Sequence, residues 1–64
     1  MKRYFNLDTK IQFIVFLTNN QISETEFAKK IGLSKRVVMQ VANGDMIITP
    51  IIAEKFKKGG FEIK

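Results

Sequence analysis

Apolar residues recur along this chain at helical intervals, and short polar stops separate the blocks. In the first block Ile11, Ile14, Val15 and Thr18 follow the period of an α-helix, while Phe13, Phe16 and Leu17 spread the apolar surface well beyond one stripe. The pattern predicts a helix that starts at a cap on Asn6 or Asp8, runs to about Asn19 and is buried on most of its sides. The alternative is that one or two of its aromatics stay exposed and form a dimer contact. Asn19-Asn20-Gln21 is a polar turn. In the second block Phe27, Ala28 and Ile31 face inward and Glu24, Lys29 and Lys30 outward, with Ile22 placed to staple against Phe27. Leu33 follows as a plug for the core. In the third block Val38 and Val41 lie three apart and share one face, whereas Val37 is ambiguous between the core and the surface. Asp45 to Ile48 reads as a connecting loop. Ile51, Ile52 and Phe56 then supply the apolar face of a fourth helix whose end carries Lys55, Lys57 and Lys58. Phe61-Glu62-Ile63-Lys64 alternates as a short strand does, and it could pair with residues 2–5 or with a second subunit.

Local signals divide these blocks at the same places. Ser23-x-x-Glu26 is a capping box, Ser34 can cap the next helix, and Thr49-Pro50 is a strong start for the last. Gly32, Asn43-Gly44 and Gly59-Gly60 are helix stops. Ala28 needs so little room that another helix backbone can approach it. Residues 23–44 therefore read as two helices joined by a tight turn, a helix-turn-helix, the unit that presents its second helix to a DNA major groove. An ordinary helical hairpin without a ligand fits the same spacing, because fold does not imply function.

Composition narrows the chemistry. The 64 residues make one domain, 1–64, near the lower limit at which a single core suffices. There is no cysteine and no histidine, so the commonest general base and the commonest metal ligands are missing together. An enzyme is not expected, and neither a cofactor nor a metal is implied. Eleven Lys and Arg against six Asp and Glu give a formal charge of +5, which suits a polyanionic partner, nucleic acid first, although it also serves solubility. RNA is less favoured, because the aromatics fall at core spacings and form no stacking platform. The apolar run 11–17 behind Met1-Lys2-Arg3 faintly resembles a signal peptide, but Asp8 interrupts the approach and no small-residue cleavage site follows. It is too short to span a bilayer. The chain reads as cytoplasmic.

From Glu24 to about Phe56, roughly half its length, the chain resembles the Cro/CI repressor superfamily, also called the XRE family of helix-turn-helix regulators. Ala28, Gly32, Leu33, Ser34, Val38, Val41, Asn43, Gly44, Thr49 and Pro50 carry the resemblance. The segment NGDMIITPIIAEKF is similar to the N-G-x-x-x-I-T-P of antitoxin-like members. The resemblance implies that Ser34, Lys35 and Arg36, the first residues of the recognition helix, reach bases or phosphates. Arg36 suits guanine O6 and N7, and Gln40, one turn on, suits adenine N6 and N7. Asn43 matches a position that often touches phosphate, and Thr25 lies where the start of the first motif helix attracts phosphate. Val37, apart from the resemblance, is either buried or offered to a thymine methyl. The chain departs from many relatives in carrying Glu24-Thr25-Glu26 where they have glutamine. Two carboxylates there repel DNA unless Glu26 is held in the capping box and Glu24 turns away.

The expectation is thus an all-α, four-helix, Cro/CI-like domain, with a two-stranded ribbon formed by residues 2–5 and 61–63. Its expected function is sequence-specific binding of double-stranded DNA as a repressor, a homodimer joined through residues 61–64 or the aromatics of the first helix, with no sensor or cleavage domain. A compact regulator of this kind suits a phage or mobile element. The alternative is an antitoxin-like or anti-repressor module that binds a partner protein through the apolar first helix.

Overall fold

Each helix starts at a side chain that accepts a backbone N–H from its own first turn. In the computed structural model, which describes residues 3–63, Asn6 Oδ1 accepts from the Thr9 N–H at 2.8 Å and opens α1 (Leu7–Asn19). The Ser23 hydroxyl accepts from Glu26 at 3.2 Å and the Glu26 carboxylate accepts from the Ser23 N–H at 3.1 Å, a complete capping box for α2 (Glu24–Ile31). Ser34 caps α3 (Lys35–Ala42), and Thr49, with Pro50 at the first helical position, caps α4 (Pro50–Lys58).

The four helices also stop alike. After α2 the Leu33 N–H donates to the Ala28 carbonyl and the Gly32 N–H to Lys29. After α3 the Asp45 N–H donates to Gln40 and Gly44 to Val41. After α4 the Phe61 N–H donates to Phe56 and Gly60 to Lys57, and after α1 Ile22 donates to Leu17 and Gln21 to Thr18. This paired pattern satisfies the last carbonyls and requires a left-handed residue just past the helix end. Gly32, Gly44 and Gly60 supply it, and at α1 Gln21 does so at φ 55°.

All six phenylalanines form one cluster centred on Phe13, which is fully buried. Its ring lies 5.9 Å from Phe5, 6.4 Å from Phe16, 5.2 Å from Phe27, 5.4 Å from Phe56 and 5.1 Å from Phe61. The pairs with Phe5, Phe27 and Phe61 are edge-on, an arrangement that adds about 0.5–1.5 kcal/mol each beyond area burial. Leu17, Ala28, Ile31, Val38, Val41, Ala42 and Ile48 complete the core, with Ile22, Leu33, Val37 and Ile52 packed against it. The radius of gyration, 10.4 Å, is that of one compact body, for which about 11 Å is expected at this length. No helix among the described residues is long and apolar enough to cross a membrane.

Four expectations change. The ribbon is not seen among the described residues: 3–63 contain no strand, and Lys2 lies outside them. The Arg3 carbonyl instead accepts the Ile48 N–H at 2.7 Å, and the terminal segments meet through Phe5 and Phe61, rings 6.2 Å apart. Phe61 is therefore committed to its own core and has no ring to offer a second subunit; Lys64 lies outside the described residues. Helix α1 is not buried on most sides, nor are its aromatics exposed. Phe13 and Leu17 are buried and Phe16 partly so, whereas Leu7, Ile11, Ile14 and Val15 face water. The rings win because each offers 150–250 Å² of apolar surface, roughly, to a core that already holds other rings. On α4 Ile51 is exposed, and Ile52, Ala53 and Phe56 make the inner face.

Candidate nucleic-acid interface

The turn between α2 and α3 is only three residues, 32–34, and each has one task. Gly32 takes φ 76° and ψ 28°, Leu33 drops back against the core, and Ser34 is extended and caps α3. Ala28, 1% exposed, lies beneath them and lets the helices close. Val38, Val41 and Ala42 are buried on the inner side of α3, which fixes what its outer side must show.

At about 100° per residue, Arg36, Met39, Gln40 and Asn43 share that outer side. Arg36, Met39 and Asn43 are exposed and Gln40 partly so. Ser34 and Lys35, both exposed, stand at its entrance. Val37 falls on the other side: it is partly buried and packs against the core, so a thymine methyl would have to compete with the protein's own interior for it. Met39, which the sequence places on the surface of this helix without assigning it a contact, belongs to this side as well. Its spacing, three after Arg36 and four before Asn43, was legible as the same face. Thr25 is partly buried in the first turn of α2, where Glu26 is held in the capping box and Glu24 is partly buried beside it.

Charge is distributed unevenly over the motif. The first turn of α2 carries Glu24 and Glu26 and its last turn Lys29 and Lys30, an order that complements the helix dipole. Helix α3 reverses the rule. Its first turn has no acidic residue and begins Lys35-Arg36, so two exposed cations sit on the positive end of the dipole. A third cation comes from α4. A Cβ on Gly32 would lie 3.8 Å from Lys55 Nζ, which puts the ammonium group beside the turn. There it also faces the negative end of α2, a structural role the sequence could not assign without knowing that α4 crosses this point.

Comparison with protein-family models, curated proteins and solved structures finds no match for this chain.

Proposed function

We propose that this protein is a sequence-specific DNA-binding regulator of the Cro/CI type, with α3 as its recognition helix, acting most simply as a repressor that occludes a promoter. The observation that carries the reading is the start of α3. Lys35 and Arg36 occupy a helix end that favours anions, with no carboxylate in that first turn. An arrangement that opposes the fold's own electrostatics is expected where a ligand supplies the missing charge. A DNA phosphate supplies it, because free backbone N–H groups and the dipole already point there.

In this reading Ser34 and Lys35 hold phosphates, Arg36 and Gln40 read base edges, and Asn43 holds the backbone at the far end of the helix. Met39 lies between them as an apolar contact. Thr25 makes at most a peripheral phosphate contact beside two carboxylates, and Val37 supports α3 from within. One short helix makes few base contacts, so a homodimer on two half-sites about 34 Å apart is part of the proposal.

The test is selection of binding sites from a random-sequence DNA pool, followed by titration of the selected duplex and a scrambled one at several salt concentrations. A selected site that holds its preference near physiological salt supports the reading. Equal and steeply salt-dependent binding to both duplexes, or none, overturns it.

A second reading, docking onto a protein, is favoured by one observation of its own: the aliphatic row on the outer side of α1.

A further inference from the structure

Helix α1 has two apolar faces. One carries Phe13, Phe16 and Leu17 into the core. The other holds Leu7, Ile11, Ile14 and Val15, which are 72%, 50%, 50% and 50% exposed. At helical spacing these four, with exposed Thr18 among them, occupy an arc of about 100° opposite the core side. An arc of that width is what a helix ordinarily turns towards a partner. Leu7 to Val15 thus form a continuous row that the chain's own fold leaves in water.

We propose that this row is a self-association surface, and that its partner is the same face of a second copy. Three observations select that occupant. The first is charge: the chain carries +5, so two copies repel, yet the ionisable residues of α1 are only Asp8 and Lys10, which cancel. The row is flanked by one charge of each sign, which allows it to meet itself without bringing like charges together. DNA is not a suitable occupant, since it requires a surplus of cations.

The second is area. A helix of 13 residues is about 20 Å long, and one exposed stripe on it is on the order of 300–600 Å². A stable interface takes about 800 Å² from each partner and an obligate one more. The row therefore suits a weak, concentration-dependent pair that DNA completes by holding two half-sites together. The third is size: a domain of 64 residues has a limited core, which a second subunit can extend. With no cysteine a disulfide cannot do so, whereas the apolar row is a surface that a second copy can cover. The inference deepens the DNA-binding reading, but self-association is measurable without DNA.

The experiment is sedimentation velocity of the full chain without DNA, from low- to high-micromolar concentration. It compares the unsubstituted protein with Ile14→Glu, Ile11→Glu and, as a control, Ile51→Glu on the exposed side of α4. The expected result is a dimer fraction that rises with concentration. It should weaken on the order of tenfold or more in the two α1 variants and be unchanged in Ile51→Glu. Helical circular dichroism checks the fold, and Val15→Lys stands in for any α1 variant that loses it. A monomer at every concentration overturns the proposal, as it would if the occupant were a foreign protein. So does a dimer indifferent to the α1 changes or broken by Ile51→Glu. Failure to bind DNA by a protein that dimerises through α1 overturns the function and leaves this inference standing.

Discussion

Gly59 lies against Ile31 so closely that a Cβ on Gly59 would fall 2.6 Å from the Ile31 Cγ2 and 2.7 Å from a ring carbon of Phe27. The residue is buried at an ordinary helical φ of −79°, so its small size matters here, not its backbone freedom. The contact is where the end of α4 seats on the core side of α2 and thereby sets the height of α2 in the motif. Gly59→Ala is expected to destabilise the protein by about 1–3 kcal/mol through overpacking. Thermal unfolding of the purified variant measures it. A loss under about half a kcal/mol would mean that α4 can lift away freely.

Two glycines at helix stops should respond unequally. Gly32 and Gly44 both hold positive φ, 76° and 80°, so alanine strains the backbone at either, by about 1–2 kcal/mol. At Gly32 the nearest atom to the new methyl is the mobile Lys55 Nζ, at 3.8 Å. At Gly44 it is the backbone carbonyl of Phe5, at 3.0 Å, which cannot swing aside. Gly44→Ala is therefore expected to cost more than Gly32→Ala in urea unfolding, and equal costs would refute the close passage of the N-terminal segment over the end of α3.

The parts of the fold that depend on neighbours in sequence were legible. Ser23-x-x-Glu26, Ser34 and Thr49-Pro50 start helices where they should, and Gly32, Gly44 and Gly60 supply the positive φ that stops them. The parts that depend on choosing between equivalent faces were not. Helix α1 offers an aliphatic face and an aromatic one, both at helical spacing, and nothing local says that Phe5, Phe56 and Phe61 will wait to receive Phe13. Phe61 read as a strand residue because alternation over four residues cannot distinguish a ribbon from an isolated ring turned inward. At the candidate interface the spacing of Arg36, Gln40 and Asn43 was readable, and so was that of Met39 between them. The position of Lys55 beside Gly32 was not, because it arises from how α4 crosses the motif.

Base reading and core support should separate along α3. Arg36→Ala and Gln40→Ala, both on the outer side, are each expected to weaken a selected site by about 1–3 kcal/mol with less effect on a scrambled duplex. Val37→Ala should instead lower stability, by about 1 kcal/mol, and leave the affinity of the folded protein unchanged, because its side chain packs against the core. Titration and unfolding of all three variants decide the matter. Loss of site preference in Val37→Ala alone would place the reading surface on the wrong side of the helix.

The most diagnostic substitution is one expected to improve the fold and damage the function. Lys35 is exposed at the first position of α3, where the dipole favours negative charge and Arg36 adds a second cation next to it. Lys35→Glu removes one of two like charges and places a carboxylate at the positive end of the helix. Stability is expected to rise by about 0.3–1 kcal/mol at low salt and to gain less as salt screens the interaction. The same change puts a negative charge where a phosphate would sit. Affinity for a selected duplex and a scrambled one should fall together, and the salt dependence of binding should flatten by about one unit of slope for the lost contact. Lys35→Gln, which removes the charge without reversing it, should fall between in both measurements. Opposite signs in stability and binding are what a site held at a local electrostatic cost predicts. If Lys35→Glu loses stability, the cations are part of the fold's own balance; if it keeps full DNA affinity, the start of α3 does not face phosphate.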